Sequence, residues 1–260
     1  MKILSLLLVT LLLFSGCQSS AKKAQDKKDV SKRAALHYSL GIDALRKGFL
    51  PKAFEELLLS DSIAANQPAT LDAIAHAWRI RGNTQQAKKY YERAVHANAG
   101  AATHNNYGSL LIELGDYHLA IRHLNIALED PRYRKQAYAF SNLGDAKLGL
   151  GRFEEAIAAY RKAHMIAPKQ AFPQLREASA YVQHNRLNYA QALYETILRQ
   201  HPGNQQALSA YIQLLKNTGG LSTAKPYIKA FMQHTTDPLQ KAWAKDELQY
   251  LSFTKDGNHE

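Results

Sequence analysis

A trio of small residues recurs along this chain at fixed offsets, and it restricts the fold more than any other feature. A Gly stands seven residues before a second Gly, and an Ala follows five residues later, in Gly41, Gly48, Ala53; Gly108, Gly115, Ala120; and Gly144, Gly151, Ala156. Ala75, Gly82 and Ala87 hold the same offsets between the first and second trios. Counted from the first position of the pattern, the units start near Ala34, Pro68, Ala101, Ala137, Ala171 and Gln205, spaced by 34, 33, 36, 34 and 34 residues. One unit of that size cannot bury its own apolar face, so the period predicts a stacked array in which each unit covers its neighbour.

Within a unit the spacing predicts two antiparallel helices, A and B, with the paired small residues allowing close approach and the second Gly in the turn, where positive φ is cheap. Four residues after each Ala position comes a seam residue: Leu57, Tyr91, Leu124, Tyr160, Tyr194 and Ile228. Pro168 and Pro202 stand where the B helices of the fourth and fifth units must stop. The last two units depart from the pattern, with Asn185 at one turn and Pro226 expected inside the second helix of the other. Asp237 followed by Pro238 is a helix start, so 237–251 is expected to be a capping helix and 252–260 a disordered tail. No strand-like alternation interrupts the pattern. The period resembles that of the tetratricopeptide repeat, which implies an all-α fold: a right-handed superhelical solenoid of six helix pairs over 34–236, closed by the cap.

Residues 1–16 have the layout of a secretory signal peptide, a basic Lys2 and then an apolar run from Ile3 to Phe14. Twelve helical residues reach about 18 Å, short of a membrane span of roughly 30 Å. Phe14-Ser15-Gly16-Cys17 resembles the lipobox of bacterial lipoproteins, which implies cleavage before Cys17 and acylation of that residue. Cys17 is the only cysteine in 260 residues, so it has no disulfide partner within the chain. Several acyl chains on one residue hold a protein to a bilayer stably, and Gln18 in place of Asp points, by the same resemblance, to the outer membrane, with the body facing the periplasm. From Ser19 to Arg33 there are six basic residues, two acidic ones and no apolar periodicity. The segment 17–33 is therefore expected to be a lipidated cysteine and a flexible basic tether.

The eleven histidines fall in no metal-ligand spacing, and His118 and His123, five apart, have the wrong spacing to share a helix face. "GLGRFE" lacks the third Gly of a dinucleotide fingerprint, and the repeat already accounts for both of its glycines. No nucleophile motif, phosphate loop or nucleic-acid module is present. The formal charge of +11 belongs to a chain expected to be exported, away from nucleic acid. The expectation is a binding protein and not an enzyme, with no catalytic residue, metal, cofactor, small-molecule substrate or nucleic-acid partner.

Such arrays hold a protein segment on the concave face lined by the A helices. Positions 2, 5, 9, 12 and 13 of each unit should point there. This predicts a groove of Tyr38, Ile42, Leu45, His76, Arg79, Asn105, Ser109, Ile112, Tyr138, Ser141 and Asp145, with Phe172 and Leu175 beyond. Tyr38, Ile42 and Leu45 form an apolar stripe that either faces a partner or packs on the first helix pair.

The long third-to-fourth spacing, with "NNYG" at Asn105–Gly108 and "NLG" at Asn142–Gly144, resembles the PilW/PilF tetratricopeptide lipoproteins of type IV pilus biogenesis over most of 34–202. That resemblance implies a pilotin: an outer-membrane lipoprotein that binds the secretin subunit and promotes its localisation and multimerisation. An anchored adaptor for cell-wall hydrolases or outer-membrane assembly factors has the same architecture and stands as the alternative.

Overall fold

The computed structural model describes residues 25–256. The signal peptide, Cys17 and residues 18–24 lie outside the described residues, as do 257–260. The described chain is all-helical. Its elements are α1 (25–46), α2 (Leu50–Ile63), α3 (Pro68–Ile80), α4 (Thr84–His96), α5 (Ala101–Glu113), α6 (Tyr117–Glu129) and α7 (Gln136–Gly149). They continue as α8 (Phe153–Ile166), α9 (Phe172–Gln183), α10 (Leu187–Gln200), α11 (Gln205–Thr218), a 3-10 turn (Leu221–Ala224), α12 (Lys225–His234) and α13 (Pro238–Asp256). Among the described residues, no helix is long and apolar enough to cross a membrane. The chain divides into two compact units, one ending at Leu114 and the other starting at Gly115.

The seam residues are where the period puts them. Leu57, Tyr91, Leu124, Tyr160, Tyr194 and Ile228 are all buried. Gly144 shows why a small residue must face Tyr160: a Cβ built there would collide with the Tyr160 ring, 2.6 Å from Cδ1. Gly41 is held in the same way by Leu57, whose Cγ would lie 2.5 Å away. The turns follow the pattern too. Gly82 has φ +81°, and Asn185, which replaces Gly in the fifth repeat, still adopts φ 55°, as Asn tolerates the left-handed region better than most residues. Asn83 and Asn204 cap α4 and α11 by accepting from Gln86 N at 3.0 Å and Ala207 N at 2.9 Å.

Three boundaries differ from the sequence expectation. Helix α1 already runs through 25–33, where composition suggested a flexible tether. Ala, Lys and Gln are good helix formers, Gln25 bonds Asp29 one turn on at 3.0 and 3.1 Å, and buried Ala34 ties the helix down by accepting from Ser60 Oγ at 2.9 Å. Pro226 does not interrupt α12 but sits in its first turn, where a missing N–H costs nothing, and the 3-10 turn takes up the residues before it. Helix α13 extends to Asp256, beyond the expected end at 251 and into the expected tail. Its start is as expected, with Asp237 Oδ1 accepting from Leu239 N at 2.9 Å.

Candidate functional site: the A-helix faces

Within each unit the A helices lie side by side, α3 against α5 and α7 against α9, so residues about one repeat apart become lateral neighbours. In the N-terminal unit, Arg79 of α3 reaches α5, donating from Nε to Glu113 at 3.0 Å and from Nη2 to Ser109 at 3.1 Å, with a second contact to Glu113. Asn106 donates from Nδ2 to both carboxylate oxygens of Asp72 at 3.2 and 3.3 Å. Burial pushes the Asp72 carboxyl above its ordinary range, against the opposing pull of hydrogen bonds from Asn106 and Thr103. His76 is exposed and Ile112 half-buried on the same helices.

Tyr38, Ile42 and Leu45 are not a free stripe. All three are half-buried and pack against Leu57, Ala73 and Ile74. The reading in which they complete the first helix pair's own core is the one the structure supports, because α2 and α3 close over that side of α1. Asn105 is buried as well, and so is Ser141 in the C-terminal unit. Both occupy the fifth position of their repeat. At position 5 Asn105, Ser141 and Leu175 are buried while Ser209 is exposed, and positions 2, 9 and 12 retain access to solvent.

In the C-terminal unit Asp145 is the hub of a polar relay. It accepts from the Tyr160 hydroxyl at 2.8 Å and pairs with Arg176 of α9, whose Nη1 also lies 3.5 Å from Asn142 Oδ1. Tyr138, half exposed, stacks on Phe172 with ring centroids 4.5 Å apart and planes within 11°. Beyond this pair, two cavities of about 340 and 320 Å³ run between α9 and α11 and share Ser179, Tyr194 and Ala210. Apolar walls come from Phe172, Leu175 and Val182, and amides from Gln206, Gln213 and Asn217. Apolar pockets for alternate side chains beside amides for main-chain groups suit an extended peptide. Gln206, Gln213 and Asn217 are positions 2, 9 and 13 of the sixth repeat. The same position rule that gives Phe172 and Leu175 in the fifth repeat gives these three in the sixth.

Family models described as tetratricopeptide repeat match residues 100–169 and 147–214. Proteins built from this repeat act in general as scaffolds for protein interaction. Among solved structures, PilF of Pseudomonas aeruginosa superposes with a TM-score of 0.66 at 21% identity, covering 84% of this chain and 99% of that one. PilW, a widely conserved type IV pilus biogenesis factor, superposes with a TM-score of 0.70 at 16% identity, covering 80% of this chain and 96% of PilW. At these identities the likeness is one of fold. An uncharacterized protein of Haemophilus influenzae is 33% identical over 72 residues, which span 27% of this chain and 40% of that relative.

Proposed function

We propose that this tetratricopeptide-repeat chain is an outer-membrane lipoprotein of type IV pilus biogenesis, which binds the secretin subunit on its A-helix faces and promotes the secretin's outer-membrane localisation and multimerisation. The observation that carries the reading is coverage of both chains, 99% of PilF with 84% of this one and 96% of PilW with 80% of this one, for a chain that also bears a lipobox-like Phe14-Ser15-Gly16-Cys17. Likeness over a few repeats would reflect the repeat alone; likeness across nearly the whole of the pilus factor favours a shared architecture. In this reading the acyl chains on Cys17 hold the protein to the inner leaflet of the outer membrane, and the groove between α9 and α11 receives an extended partner segment. The test is a deletion strain: detergent-resistant secretin multimer in the outer membrane should fall, and surface pili and twitching should be lost. Normal multimer levels would favour the adaptor role for cell-wall hydrolases or outer-membrane assembly factors.

A further inference from the structure

A second surface adjoins the α9–α11 groove across the Tyr138–Phe172 stack, at the edge where α8 hands over to α9 and the 130–135 loop enters α7. There a depression of about 430 Å³ is lined by Arg134, Lys135, Tyr138, Ile166, Pro168 and Lys169, among others, and no carboxylate lines it. Tyr138 is 46% exposed and Ile166 47% exposed. Among the described residues, Arg134, Lys135 and Lys169 make no ion pair, whereas Arg132 nearby is engaged by Asp130 through Nε at 3.2 Å. The loop owes its existence to the one long repeat spacing, 36 residues between the third and fourth starts. Insertions into a repeat fall on loops of one face, often the binding face. Extra residues that bring Arg134 and Lys135 to an exposed aromatic are not explained by packing, since both cations are exposed.

We infer that this edge docks an acidic, aromatic- or aliphatic-containing segment of a partner protein. The charge complementarity is one-sided: three unpaired cations ring an apolar floor of Tyr138, Ile166 and Pro168. Carboxylates of the segment would meet Arg134, Lys135 and Lys169 around the rim, and an apolar side chain would lie on the Tyr138 face that Phe172 leaves open. Because Phe172 stacks on Tyr138, the ring is held in place before the segment arrives, which reduces the ordering cost of binding. The surface is independent of the pilus reading and would stand if that reading failed.

The experiment uses the purified full chain in detergent and a short fluorescein-labelled synthetic peptide of alternating Glu with Leu and Tyr, read by anisotropy. The Glu peptide should bind, its Gln counterpart should bind about tenfold more weakly, and added salt should weaken the Glu peptide selectively. Arg134→Glu with Lys169→Glu should cost about tenfold or more. Lys229→Glu with Lys245→Glu, the same change of net charge on exposed residues of α12 and α13, should cost little. Thermal melts control for folding, and Arg134→Gln with Lys169→Gln serves if the reversal unfolds the protein. Equal binding of the Glu and Gln peptides would overturn the inference. So would an equal loss in the two charge-reversed pairs, which would show a nonspecific effect of net charge. Phosphatidylglycerol vesicles are the competing occupant: sedimentation with them that depends on Arg134 and Lys169, without peptide binding, would assign the edge to a membrane and overturn the peptide reading.

Discussion

Replacing Gly144 by Ala tests the helix-pair seam at its tightest point. A methyl at that position meets the Tyr160 ring on three of its atoms, and Tyr160 is 1% exposed, so the ring has nowhere to move without disturbing α8. Overpacking of this kind costs about 1–3 kcal/mol. Moving the ring also strains the Tyr160–Asp145 hydrogen bond of 2.8 Å, a further contribution of about 1 kcal/mol. Against this, Ala is preferred over Gly inside a helix by about 1 kcal/mol. The net expectation is a loss of about 1–3 kcal/mol, or a fall in Tm of roughly 2–4 °C per kcal/mol in a chain of this size. Urea unfolding followed by circular dichroism measures it, and a double-mutant cycle with Tyr160→Ala isolates the cause. In the Tyr160→Ala background the clash is gone, so Gly144→Ala should become neutral or stabilising, with a coupling of about 2 kcal/mol or more. The same effect of Gly144→Ala in both backgrounds would refute the packing argument.

Other expectations follow from the same contacts. Leu45→Asp should lower stability by about 1.5 kcal/mol or more, because the side chain packs on the core formed by Leu57, Ala73 and Ile74; an unchanged melting temperature would restore the exposed stripe. Burial raises the folded-state carboxyl of Asp72 above its unfolded value of 3.8, so its proton favours folding most below that value and the margin disappears as pH rises through the higher folded value. Asp72→Asn should therefore raise the melting temperature at neutral pH and flatten its decline above pH 3.8, as seen by melts across a pH series. Cys17→Ser should leave folding intact yet release the protein from the membrane fraction after a carbonate wash, and persistent retention would contradict the lipobox reading.

Much of the architecture was legible because it repeats. The Ala53-to-Leu57 offset recurs as Ala156-to-Tyr160, and both Leu57 and Tyr160 are buried against the small residue that the pattern pairs with them. Helix α1 began earlier than expected because residues 25–33 have no apolar face; their helix rests on propensity and on attachment at Ala34, neither of which shows in periodicity. At the candidate site, single-helix spacing places residues on a face but cannot tell which part of that face the next helix covers. That is why Asn105 and Ser141 were expected in a groove and are buried. The link from Asp145 to Arg176 joins residues 31 apart in sequence, on neighbouring A helices. It becomes visible only once those helices are side by side.

The proposal that this protein serves secretin assembly is tested most directly by binding. The purified chain and the purified secretin subunit, mixed in detergent and followed by calorimetry, should form a saturable complex with a Kd of about 1 μM or tighter, equivalent to about −8 kcal/mol. Phe172→Asp, on the wall of the α9–α11 groove, should weaken that complex about tenfold while the fold persists in circular dichroism. No heat of binding at subunit concentrations well above that Kd, with both proteins folded, would contradict the account.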